Sequence, residues 1–236
     1  MSRDIYPSLS GASATWQHLE VLANNIANTA TSGFKAHRAT FENVMNDQGL
    51  LGDGHVRTDY SVQDFSDGML VEDQNPTHFA LRGRGFFAVE SAFGPMLQRS
   101  GAFSLDAQGF LVTAEGDRVL GENGPIQIRD ELRDGGELVV AQDGTLSADG
   151  TIIDTLQLMD GANLEPVGAS RWRARDGMLP ADNVTVVQGA LEGSNADPIR
   201  GMTRLIETSR YFEMYQKAMQ TSDELDRRNL QIAERA

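Results

Sequence analysis

The chain has 236 residues, 40% apolar and 23% charged, with no cysteine and a formal charge of −14 at neutral pH. That length allows one or two domains with cores that bury about 70–75% of the unfolded surface. The missing cysteine excludes disulfides, thiolate catalysis and Cys-type zinc sites, and acidity spread along the whole chain repels nucleic acid and anionic lipid.

The N-terminal stretch carries the clearest period. Ile5, Leu9, Ala12, Trp16, Leu19, Ala23 and Ile26 alternate spacings of four and three, the a/d seam of a heptad helix. Pro7 is tolerated in a first helical turn. The seam fades at Asn28, and Gly33 supplies a helix stop or tight turn, so residues 1–33 are expected as an N-terminal helix unit. The segment Leu22-Ala-Asn-Asn-Ile-Ala-Asn-Thr-Ala-Thr-Ser-Gly-Phe-Lys35 is unusual for a core: asparagine-rich, then a glycine before a bulky anchor. Residues 34–75, with Gly49, Gly52, Gly54 and Gly68, are expected as extended connecting segments and loops. Ser32-x-x-Lys35 has the form of a serine–lysine nucleophile motif, but no companion motif follows.

From 76 to 187 the pattern is β-rich. Short apolar runs (78–81, 85–90, 109–113, 126–128, 137–141, 151–159, 184–188) are cut by Asp-Gly at 134, 143, 149, 160 and 176 and by Asn123-Gly124. Strands at this spacing predict an antiparallel sheet or small barrel. Gly83-Arg84-Gly85 begins like a dinucleotide fingerprint but lacks the third glycine and the following helix, so a strand-to-strand turn is expected.

Residues 188–236 are expected as a C-terminal helix unit. Asp197 caps it, Pro198 takes the first helical position, and the helix continues to about Arg235. Two seams run along it: Leu205, Phe212 and Met219, and, about 120° away, Tyr211, Ala218, Leu225 and Ile232. One antiparallel partner needs a single seam, so two seams predict further neighbours. The fold expected is α+β: terminal helices pairing as a coiled coil, plus a central antiparallel β-rich domain.

A search for chemistry returns nothing. His18, His37, His55 and His78 share no metal-ligand spacing, no nucleophile elbow occurs, and no carboxylates pair at a diagnostic distance. No catalytic residue, metal or cofactor is expected. No apolar run approaches the ~20 residues of a membrane span, and the N-terminus lacks a signal-peptide pattern, which predicts a cytoplasmic chain or one exported by another route.

Several blocks together resemble the bacterial flagellar basal-body rod, hook and hook-associated family. They are Ala-Asn-Asn-Ile-Ala-Asn at 23–28 with Gly-Phe-Lys at 33–35; Asp-Gly-Met-Leu at 67–70 with Asn-Pro at 75–76 and Gly-Arg-Gly-Phe-Phe at 83–87; Arg-Ser-Gly-Ala-Phe at 99–103; and Leu-Glu-Gly-Ser-Asn at 191–195 leading into the last helix. Within that family the pattern is nearest the proximal rod members, with the distal rod members next. The resemblance implies a non-enzymatic structural subunit that leaves through the flagellum's own type III export apparatus without a cleaved signal peptide. It would polymerise with like or homologous proximal and distal rod subunits in the periplasm, as a helical array forming the drive shaft to the hook. It would neither bind nucleic acid nor insert in a membrane. A heterologous contact whose rotation does not close generates such a filament. The residues expected to carry assembly are Leu19, Leu22, Asn24, Asn25, Ile26, Asn28, Gly33 and Phe34 at one end, and Leu205, Tyr211, Phe212, Tyr215, Met219 and Leu225 at the other. The asparagines would cap the helix end or tie neighbours together. The helices are expected to be poorly ordered before assembly. The rival readings, a β-domain binding module and a cell-wall hydrolase, lack an aromatic groove and a carboxylate constellation respectively.

Overall fold

The computed structural model describes residues 5–44, 55–128, 138–168 and 170–233. The chain divides into two compact units, one of residues 1–27, 37–64 and 197–236, the other of residues 28–36 and 65–196.

The first unit contains helix α1 (Ile5–Ala27), a β-hairpin of strands His37–Val44 and His55–Gln63, and helix α2 (Pro198–Ala233). The helices pair antiparallel: Ile26 packs at Gly201, Trp16 meets Phe212 with ring centroids 5.6 Å apart, and Gly11 lies under Tyr215. Gly11 is small for a reason, since a Cβ there would sit 2.7 Å from the Tyr215 ring. α2 starts where the residues predict. Asp197 Oδ1 accepts from the Ile199 and Arg200 amides at 3.0 and 3.1 Å, and Pro198 occupies the first turn, where no amide hydrogen is needed. The hairpin gives the expected extended segments a definite pairing. Its second strand alternates Val56, Thr58, Tyr60 and Val62 with polar or charged residues, and its register slips by a bulge between Arg38 and Thr40.

In the second unit every ladder is antiparallel. The largest sheet runs, in order, through strands 164–166, 171–174, 94–98, 86–91, 118–121, 111–112 and 104–105. A three-stranded meander (138–140, 145–148, 151–155) and two ribbons complete the unit; the ribbons pair 79–82 with 185–188 and 70–72 with 190–192. The main core is built from Phe79, Leu81, Phe87, Val89, Phe103 and Leu111 with their neighbours, and a second core from Phe86, Leu97 and Trp172. The turn residues do what they predict. Asp149 and Gly150 both take positive φ, +49° and +79°, as a two-residue turn joining Ala148 to Thr151 requires. Gly83, at φ +97°, turns the chain between strands 79–82 and 86–91. Asp134-Gly135, Gly49, Gly52 and Gly54 lie outside the described residues.

Two boundaries differ from the expected ones. α1 closes at Ala27, and residues 28–36 belong to the β unit instead of extending the helix to 33. Residues 190–192 form a strand paired with 70–72 and belong to the β unit, so the C-terminal helix unit begins at 197 and not at 188, while the helix itself starts at the expected Pro198. The run Ala-Leu-Glu is compatible with helix, but its ladder partner and the buried Glu192 side chain decide for strand.

Candidate functional site

The helix faces come first. On α1, Ala12, Ala14 and Leu22 are buried, Leu19 and Ile26 half-buried. Leu9 and Trp16 are about half exposed and Ala23 is exposed. The predicted seam therefore splits. Its members Ala12, Leu19 and Ile26 turn inward, while Leu9, Trp16 and Ala23 turn out, and the inward stripe passes through Leu22. A straight helix of 3.6 residues per turn drifts off a strict seven-residue repeat, and the α1 face is also shared with the hairpin. Trp16 keeps an edge on Phe212 and donates from Nε1 to Glu20 Oε1 at 3.0 Å.

On α2 the two seams separate. Leu205, Phe212 and Met219 are half-buried, with Phe212 on Trp16. Tyr211 (57% exposed), Ala218 and Leu225 face outward, and Tyr215 is held partly down by Gly11. Ile199, 77% exposed, and the exposed Met202, Ile206 and Met214 add an apolar surface that neither seam contained. The side chains of Ile5 and Ile232 lie outside those described.

The asparagines differ from one another. Asn25 is committed within its own chain: its amide nitrogen donates to His37 O at 2.7 Å and its Oδ1 accepts the His37 amide at 2.8 Å. That pairing mimics a ladder step and fixes where the hairpin starts. Asn28 Oδ1 accepts from the Thr31 hydroxyl at 3.2 Å, and Asn24 is exposed on α1.

Residues 28–36 then bend across the β unit. Gly33 takes φ +68°, and a Cβ there would lie 2.5 Å from the Ser100 amide nitrogen. Phe34 is buried. Lys35 is buried too, its ammonium donating to Ser66 O at 2.7 Å and to Glu192 Oε1 at 2.8 Å. Glu192 is paired with Arg99 as well, Nε donating to Oε2, and Glu192 Oε1 accepts the Gly68 amide at 2.7 Å. The Arg99 Nη atoms donate to the carbonyls of Leu81, Gly83 and Gly85 and to Asp67 Oδ1. Asn195 closes the arrangement, accepting the Ala36 amide at 2.7 Å and donating to Ser66 O. Burial draws the Lys35 ammonium below its ordinary range, with the Glu192 hydrogen bond opposing that shift. The Ser32-x-x-Lys35 spacing thus has a structural use: the lysine is an ion-pair partner.

Sequence reasoning finds Gly33 and Phe34 but not Lys35, Asp67, Arg99, Glu192 or Asn195 as one site. A signal was present: the chain uses arginine almost throughout, and Lys35 is one of only two lysines. A compact ammonium with three donors suits a narrow buried seat. Among the described residues no cluster of His, Asp and Glu can hold a metal ion, and no helix is long and apolar enough to cross a membrane.

Comparison with known proteins gives these blocks a common origin. Residues 5–35 match the family model "Flagella basal body rod protein", residues 80–148 the "Flagellar hook protein FlgE/F/G D1 domain", and residues 187–232 the "Flagellar basal body rod FlgEFG protein C-terminal". The flagellar basal-body rod protein FlgF of Salmonella typhimurium is 31% identical over 98% of both chains. That of Mesorhizobium japonicum is 31% identical over 90% of both, and FlgG of Agrobacterium fabrum is 32% identical over 92% of this chain and 94% of its own. With likeness running through both terminal helices and the β unit between them, the chain belongs to the flagellar basal-body rod protein family.

Proposed function

We infer that this chain is a structural subunit of the flagellar basal-body rod, polymerising through its terminal helices into the periplasmic shaft that passes torque to the hook. The observation that carries the reading is the outward apolar seam of α2, Tyr211, Ala218 and Leu225, set beside a seam already packed on α1. A helix that has one partner and keeps a second apolar face is suited to a further neighbour. In the assembled shaft α1 and α2 wind as a coiled coil, and Leu9, Trp16 and Ala23 gain contacts from adjoining subunits. Those neighbours are other copies or the homologous proximal and distal rod subunits, and the chain reaches them through the flagellar export apparatus. The role is mechanical, and no reaction is assigned to it. Relatives named FlgF and the motif pattern favour the proximal segment.

Cryo-electron tomography of basal bodies from cells lacking this gene tests the reading. A membrane ring carrying no rod, or one that stops low, is the expected result. A rod that stops high assigns the chain to the distal segment. Complete, rotating flagella overturn the rod reading.

A further inference from the structure

The β unit carries a buried charge cluster that assembly through the helices does not use. Arg99 has five N–H donors, and all five have acceptors: Glu192 for Nε, Gly83 O and Gly85 O for Nη1, Asp67 and Leu81 O for Nη2. Every one of these acceptors comes from within residues 65–196. The guanidinium is therefore complete without any help from residues 28–36. Its charge is not balanced, however: one cation faces two carboxylates, leaving one net negative charge in a site where Arg99 and Glu192 are almost wholly buried. Lys35 brings the missing cation. It arrives on a segment that meets the rest of the β unit through the Gly33 amide on Glu192 O at 2.7 Å, the Ala36 amide on Asn195 Oδ1 at 2.7 Å, the Asn195 amide on Phe34 O at 3.4 Å, and the buried Phe34 ring.

We propose that residues 28–36 are a strap that docks on a preformed anionic seat, Arg99–Glu192–Asp67, with Lys35 as its latch. The β unit then has two states, strap docked and strap released, and its sheet stays folded in both. Releasing the strap returns the Lys35 ammonium to water and leaves Glu192 still paired with Arg99 and the Gly68 amide. Removing the Glu192 charge is different in kind, because it leaves Asp67, itself half exposed, as the one carboxylate facing the buried Arg99 and Lys35 cations. The inference stands apart from the rod reading and does not depend on it.

Amide hydrogen exchange resolved by NMR on the full chain distinguishes the cases. In Lys35→Met and in Phe34→Ala, exchange at the Gly33 and Ala36 amides is expected to rise about tenfold or more, with strands 86–91 and 94–98 changed by less than about twofold. In Glu192→Gln both strap and sheet lose protection. The proposal is overturned if Lys35→Met loosens the sheet as much as the strap, if it leaves the strap amides unchanged, or if both strap variants fail to fold.

Discussion

Gly33 shows how one residue can be required by geometry alone. Its φ of +68° is in the left-handed region, and the Ser100 amide nitrogen stands where a Cβ would go. Gly33→Ala is expected to weaken the β unit by about 3 kcal/mol or more, seen in urea unfolding followed by Trp172 fluorescence in a Trp16→Phe background. His18 illustrates a titration effect. Burial, reinforced by Arg204 of α2, holds its imidazole below the usual 6.5, and burial does the same to His37 in the hairpin. The folded unit therefore resists taking protons that the unfolded chain accepts. Its stability is full above pH 6.5 and is lost as pH falls from there through the depressed folded value. Helix unfolding by far-ultraviolet circular dichroism between pH 7.5 and 5 is expected to show that loss, with His18→Gln/His37→Gln flattening the dependence. At this scale the sequence is legible where backbone geometry decides, as at Gly33, and illegible where distant charges decide. Lys35 and Glu192 meet across 157 positions, and no local period announces such a pair.

Among elements, the terminal helices were the easiest to foresee and their faces the hardest. Apolar spacing locates α1 and α2, and Asp197-Pro198 places the start of α2. A heptad does not say which half of its seam an antiparallel partner covers, so Leu9 and Trp16 point outward while Leu22 goes in. The two seams of α2 allow a direct test. Phe212→Ala removes a ring packed on Trp16 and is expected to destabilise the helix pair by about 2 kcal/mol. Tyr211→Ala, at an exposed position, is expected to change subunit stability by less than about 0.5 kcal/mol yet abolish rod assembly, scored by electron microscopy of basal bodies and by swimming. The pairing of 37–44 with 55–63 is not legible in the sequence because the first strand, His-Arg-Ala-Thr-Phe-Glu-Asn-Val, has no period of two. In the β unit the turns at Gly83, Asn123-Gly124, Asp143-Gly144, Asp149-Gly150 and Asp176-Gly177 are readable, since positive φ calls for those residues.

For the whole molecule, the two units differ in what holds them. The β unit closes on two apolar cores and a buried charge cluster. The helical unit exposes Ile199, Met202, Ile206, Tyr211, Met214 and Leu225 along α2. On the proposed rod reading, contacts made on assembly add to the stability of helices with so much uncovered apolar surface. In a monomer verified by sedimentation, amides of 8–26 and 200–230 are expected to exchange at least about a hundredfold faster than those of strands 86–91 and 94–98. Comparable protection in both units would mean that the helices are ordered before they meet a neighbour.

The saturation of Arg99 bears on how such a sequence can drift. Lysine carries three donors, so Arg99→Lys would orphan at least two of the five acceptors, and the exchange that looks mildest on paper is closed to this position. Insertions and deletions are therefore excluded within 67–68, 81–85, 99–101 and 192–195, where one shifted residue would misplace a donor or an acceptor of the cluster.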